Sequence, residues 1–195
     1  MIKSVNKNQA IEILNKGFPL GFPTDTLPAI GCLPEFSEVI YEYKKRDKNK
    51  ALILMGSDIS QIISYVHQSA KADFLILTKQ FWPGPLTLVV PISEEKKIFS
   101  KINTIGLRIP GSLVAQSLIS KTGPLATSSA NISGLSTSLS AHAVSKDLPD
   151  LDLLGPIPWE KCSGKASTVI SWVKGGKWKL IRKGQISILK INQCH

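Results

Sequence analysis

The chain has 195 residues, 43% of them hydrophobic and 19% charged. That balance predicts one packed domain over residues 1–195 and excludes a disordered chain. Apolar runs such as 51–55 are far too short to cross a bilayer, and polar residues interrupt 11–15 too often for a secretory leader, so a cytoplasmic protein without a membrane partner is expected; the net charge of +10 points to polyanions, either nucleotide or nucleic acid.

A first helix is predicted over 8–15, stopped by Gly17. A short strand over 19–22 leads into Pro23-Thr24-Asp25-Thr26. A helix over 36–45 places Val39, Ile40 and Tyr43 on one face and ends at Lys44-Lys45-Arg46. Residues 51–55 read as a buried strand, 59–67 and 71–81 as helices, and Pro83-Gly84-Pro85 as a turn. Strands over 86–91 and 104–109 flank a Lys/Glu-rich connection. A helix over 112–120 ends towards Gly123, and a strand over 125–127 feeds a Ser/Thr-rich loop running to 140. Residues 141–148 read as helix, then 151–154, 166–172, 178–182 and 186–189 as late strands. Strands and helices mix without strict alternation, which predicts an α/β fold with a sheet of mixed direction and helices packed on it.

Cys32, Cys162 and Cys194 are odd in number and widely spaced, which argues against a disulfide framework and a Cys-based zinc site. His67 and His142, placed within the predicted helices, and His195 at the end form no metal-ligand spacing. No P-loop, dinucleotide-binding, zincin or nucleophile-elbow motif occurs. Of the 24 Lys and Arg residues, only Arg46, Arg108 and Arg182 are arginines. Where lysine serves nearly every basic position, an arginine marks a place for the planar fork that grips phosphate or carboxylate. The three are predicted to share one anion site.

Polar clusters sit at the ends of several apolar strands, where ligand sites form when strand ends converge. Residues 23–26 suit either ligand contacts or a plain Asp/Thr turn. Lys44-Lys45-Arg46 fits either a phosphate clamp or simple charge complementarity at a helix C-terminus. Arg108 lies in an apolar strand and needs a partner, which is either an anionic ligand or a structural carboxylate. The run Thr127-Ser128-Ser129-Ala130-Asn131-Ile132-Ser133-Gly134 reads as a phosphate-binding nest or as a surface loop. Ser167-Thr168 and Ile181-Arg182-Lys183-Gly184 complete the set.

Taken in order, PTDT at 23–26, KxR at 44–46, FWPGPLTLVV at 81–90, GLRIP at 106–110, ATSSANISG at 126–134, STV at 167–169 and IRKG at 181–184 resemble the YrdC-like family of threonylcarbamoyl-AMP synthases, in its short single-domain form, over residues 7–188. The resemblance implies a twisted open mixed sheet with flanking helices and a concave basic face. It implies carboxylation of L-threonine by bicarbonate, attack of the carbamate on the α-phosphate of ATP, and release of pyrophosphate. Other proteins would then transfer the threonylcarbamoyl group to tRNA. Lys44 and Arg46 would be catalytic. Thr26, Arg108 and Ser167 would hold threonine. Lys44, Arg46, Lys50, Thr104, Thr127, Ser129, Asn131, Thr137 and Arg182 would contact the nucleotide. Mg²⁺ would be held mainly by the ATP phosphates rather than by a protein cage. The sequence departs from the family pattern at Pro28 and Ala29, at Asp47 and Ala51-Leu52, and at Met55, positions that bear on the pocket wall and threonine specificity. The second domain of longer relatives is not expected. The alternative readings are a module of the same fold that binds duplex RNA or tRNA without this catalysis, and a paralogue with another carbamoyl or acyl substrate.

Overall fold

The computed structural model describes residues 2–96 and 103–193. Cys194 and His195 lie outside them. The strands are β1 (Ser4–Val5), β2 (Leu20–Phe22), β3 (Ala29–Cys32), β4 (Ile53–Met55), β5 (Leu86–Pro91), β6 (Thr104–Arg108), β7 (Leu125–Ser129), β8 (Asp152–Leu154), β9 (Thr168–Val173) and β10 (Lys177–Arg182). The helices are α1 (Lys7–Asn15), α2 (Glu38–Lys44), α3 (Ile59–Ile62), α4 (Lys71–Phe81), α5 (Leu113–Thr122), α6 (Ala141–Asp147) and α7 (Ile188–Asn192). All ten strands join one sheet, in the order β1-β8-β2-β3-β7-β4-β6-β5-β9-β10. Parallel pairs such as β4–β6 and β5–β9 alternate with antiparallel pairs such as β3–β7 and β5–β6, so the sheet is mixed, as the sequence predicts.

Local chemistry sets the helix ends. Asn6 and Gln9 form a reciprocal capping box on α1. Gly17 then takes the chain out at φ +84°, a backbone conformation that favours glycine. Side chains of Ser112 and Ser140 cap α5 and α6 by accepting from backbone N–H groups in the first turn.

Alternation along the strands decides which face is covered. On one face, Phe74 and Leu77 of α4 pack with Leu54, Leu88, Leu107 and Ile170. On the same face, Ile40 of α2 and Val144 of α6 pack with Ile30, Cys32, Ala126 and Leu153. On the opposite face, Leu14 of α1 and Leu118 of α5 cover Leu20, Phe22, Leu125 and Leu154. Among the described residues that cover reaches Ile53 and Met55 of β4, and it includes no residue of β6, β5 or β9. Cys32 is buried in β3, and burial pushes its thiol up to about 12, which fits a structural thiol.

Four expectations change. Residues 186–189 do not form a strand. The Ser187 side chain accepts from Leu189 N–H at the start of α7, and Ile191 is fully buried, so the alternating Ile186 and Ile188 belong to a helix entry. The helix expected over 59–67 ends at Ile62 and continues only as a 3₁₀ turn over Ile63–Tyr65. There Val66 bridges to Ile92, and His67 is extended rather than helical. β3 was not expected, because four small or apolar residues including Gly31 give little strand signal, yet it is central in the sheet. β1, two residues long, exists through its pairing with β8.

Candidate active site

A cavity of about 430 Å³ opens on the uncovered sheet face. Its floor is built by strand alternation. Thr127 and Ser129 come from β7, Ile53 and Met55 from β4, Thr104, Gly106 and Arg108 from β6, Val89 from β5 and Val169 from β9. Register places these residues side by side, with Ile53 opposite both Gly106 and Thr127, and Met55 opposite Arg108. Residues 26–29, Thr137, Ser167 and Arg182 help form the rest of the wall.

Arg46, Arg108 and Arg182 all line this one cavity, although 136 positions separate the first from the last in sequence (182 − 46). No Asp or Glu lines it among the described residues. Arg108 is 3% exposed. Its Nε donates to Gly84 O at 3.1 Å, Nη1 to Thr26 Oγ1 at 2.8 Å and Nη2 to Asp25 Oδ1 at 2.7 Å. The carboxylate partner that its burial demanded is therefore Asp25, on the neighbouring turn. That turn is held by Thr24, whose Oγ1 donates to Leu27 O at 2.7 Å and accepts from Thr26 N–H at 3.2 Å.

Arg46 donates from Nε to Lys50 O and from Nη2 to Ala51 O, both at 3.0 Å. Arg182 sits just after a bulge, where Leu180 pairs with Ile170 but Arg182 pairs with Val169. The extra residue turns both Ile181 and Arg182 to the wall. Arg182 Nη2 donates to Ser167 O at 3.0 Å and to Ser167 Oγ at 3.1 Å. Ser167 Oγ in turn pairs with Thr87 Oγ1 at 2.9 Å. Burial, the largest cause, lowers all three guanidinium pKa values. Arg46 adds to the depression at Arg182, and Arg182 adds to it at Arg108, where Asp25 opposes it. The arginines thus repel one another, and an anion between them would relieve that repulsion.

Nine of the predicted site residues line the cavity: Thr26, Arg46, Thr104, Arg108, Thr127, Ser129, Thr137, Ser167 and Arg182. Three do not. Lys44, 1% exposed, turns its ammonium onto the carbonyls of Ser129 and Asn131 and the side-chain oxygen of Asn131. Asn131 is saturated, with Oδ1 accepting from Ser129 Oγ at 2.7 Å and Nδ2 donating to Ile132 O and Leu135 O. Lys50 enters through its carbonyl, which accepts from Arg46, and not through its ammonium. The clamp expected from Lys44 and Arg46 is thus divided. Arg46 reaches the cavity, while Lys44 braces the loop behind it, because the ammonium at the end of α2 meets three oxygens before it meets solvent. Thr24 and Asp25 belong to the expected 23–26 cluster but carry no individual role in the sequence reading, and Thr87 carries none either. A buried arginine in the sequence signals that a carboxylate must exist, but not which one.

The fold and the site define an α/β protein that presents an arginine-lined cavity on the open face of a mixed sheet. Residues 12–184 match the Sua5/YciO/YrdC family, described as Telomere recombination. A threonylcarbamoyl-AMP synthase of Aliivibrio fischeri is 30% identical over 152 residues, covering 74% of this chain and 82% of that protein. One of Bos taurus is 33% identical over 187 residues, covering 90% and 66%. The crystal structure of P. abyssi Sua5 complexed with L-threonine superposes with a TM-score of 0.88 at 28% identity, and the match covers 100% of this chain and 60% of that one. The chain belongs to the Sua5/YciO/YrdC family.

Proposed function

We propose that this cavity makes L-threonylcarbamoyl-AMP from L-threonine, bicarbonate and ATP. The observation that carries the reading is the convergence of three distant arginines on one cavity whose wall carries no carboxylate among the described residues, within a chain 30% identical to a named synthase over 152 residues. Bicarbonate condenses with the threonine amine with loss of water. A carbamate oxygen then attacks the α-phosphorus of ATP, and pyrophosphate leaves with the electrons of the broken P–O bond. No protein nucleophile is required, so catalysis rests on alignment and on spreading phosphate charge over fixed cations.

Arg108, fixed by Asp25, Thr26 and Gly84, has two of its five N–H groups beyond the three hydrogen bonds described and offers them to the threonine carboxylate. Thr26 and Ser167 flank it. Arg46 and Arg182 take the phosphates, and Thr104, Thr127, Ser129 and Thr137 supply hydroxyls along the nucleotide. Lys44 and Asn131 act as positioning residues that fix the loop carrying Ser129. No group of three or more His, Cys, Asp or Glu side chains comes together among the described residues. Mg²⁺ would arrive bound to the ATP phosphates and be held by them and by water, since guanidiniums offer it no ligand. The product would pass to proteins that transfer its threonylcarbamoyl group to tRNA. Similarity to named synthases does not favour an RNA-binding module without catalysis.

The test is pyrophosphate release by the purified protein. Release is expected only when threonine and bicarbonate are both present. In Arg108→Lys, a point charge replaces a fork that holds three acceptors, so KM for threonine should rise about tenfold or more while KM for ATP stays within about threefold. Release that ignores threonine would sink the reading, and so would equal shifts in both constants.

A further inference from the structure

The three arginines of the cavity are not equivalent. Among the described residues, Arg108 alone of them forms an ion pair, with Asp25. Arg46 and Arg182 donate to main-chain carbonyls and the Ser167 hydroxyl, which carry no formal charge. Asp25 is not on the cavity wall. It stands behind Arg108, with its side chain 21% exposed. Its Oδ1 accepts from Arg108 Nη2 and, at 2.8 Å, from the N–H of Gly111, just beyond the end of β6. Its own carbonyl accepts from Ser163 N–H at 3.0 Å. Oδ1 is therefore held by two donors, and the main chain of Asp25 by a third.

We propose that Asp25 divides the cavity by charge, cancelling Arg108 so that this end admits a zwitterionic amino acid and refuses phosphate. This rests on the function proposed above. The other end, where Arg46 and Arg182 form no ion pair among the described residues and Arg46 feels the Asp47 charge only as a smaller effect than its burial, favours multiply charged anions. At the other end a phosphate would meet a guanidinium already balanced by a carboxylate within hydrogen-bonding distance, and would suffer the repulsion of that carboxylate. Threonine near neutral pH has no net charge, so it incurs little of this repulsion. Without such a division, ATP, pyrophosphate and free phosphate would compete for the amino-acid end of a cavity that carries three guanidiniums. Asp25 touches no substrate and is a specificity-setting positioning residue.

The chain contains only three arginines, so its guanidinium Nε–H NMR spectrum holds three signals, one per residue. In the wild type, inorganic phosphate should move the signals of Arg46 and Arg182 and leave that of Arg108 in place. In Asp25→Asn, which keeps an oxygen for Arg108 and Gly111 but removes the charge, phosphate should move all three. Its affinity at Arg108 should rise about tenfold or more, the size of effect that an adjacent opposite charge exerts. Phosphate that shifts Arg108 in the wild type as strongly as the other two overturns the proposal, and this arm needs no variant to fold. An Arg108 signal that stays in place in folded Asp25→Asn overturns it as well, since an effect on stability alone would not change which arginine phosphate reaches. Threonine is the separate control. If it fails to move Arg108 in the wild type, the substrate assignment fails, while the phosphate arms still judge Asp25.

Discussion

An ammonium removed from water is tolerated when oxygens surround it, and Lys44 meets that condition by donating to Ser129 O, Asn131 O and Asn131 Oδ1. Burial, with a smaller contribution from the Arg46 charge, brings its pKa down to about 8 from an ordinary 10.5. Between those values the unfolded chain holds more protons than the folded one, so stability contributed through Lys44 rises as pH climbs from about 8 to 10.5. Lys44→Met leaves the loop oxygens without their donor and should cost about 1–3 kcal/mol near neutral pH. As pH rises through that window, the wild type should gain further on Lys44→Met, because the variant lacks this titration. Urea unfolding at a series of pH values measures the difference, and two curves that stay parallel from pH 8 to 10.5 would show that Lys44 does not titrate as described.

Elements bring the site together through close backbone contact as much as through side chains. The segment after β10 lies directly against the start of β9, and a Cβ added to Gly184 would stand 2.3 Å from Ser167 C and Thr168 N. These are backbone atoms and cannot rotate away. The same contact carries Ser167, whose carbonyl and hydroxyl accept from Arg182. Gly184→Ala should therefore destabilise by about 3 kcal/mol or more, in the range reserved for steric conflict in packed regions. It should also weaken nucleotide binding, because it separates Arg182 from Ser167. Thermal unfolding and ATP titration test the two consequences together. A variant with wild-type stability would mean that the segments are not in this contact. Where sequence patterns were long, as in α4 (Lys71–Phe81) and β5 (Leu86–Pro91), they matched the structure at both ends. They failed where tertiary pairing overrode local preference, at β3 and at Val66, and at Ile188–Asn192, where the Ser187 cap starts a helix instead of the expected strand.

Across the whole molecule, three guanidiniums face one cavity, and among the described residues only that of Arg108 has a carboxylate partner, Asp25, off the wall. A ligand that bridges the unpaired ones should stabilise the fold by mass action. At a hundred times its Kd, pyrophosphate would add about 2.7 kcal/mol. For a domain of this size each kcal/mol corresponds to about 2–4 °C, so Tm should rise by about 5–10 °C. Arg46→Ala and Arg182→Ala should each reduce that rise. A melting temperature that ignores pyrophosphate at saturating concentration would deny the anion site. No helix among the described residues is long and apolar enough to cross a membrane.

The sequence by itself determined the class of fold, most element positions and the residue types of the site. Those follow from local periodicity, capping and the scarcity of arginine, which are properties of neighbouring residues or of composition. Only the tertiary structure decided that Lys44 and Asn131 brace a loop instead of lining the cavity, and that Asp25 is the carboxylate behind Arg108. Both depend on contacts between residues more than 80 positions apart, and neither helical nor strand periodicity carries information over that separation.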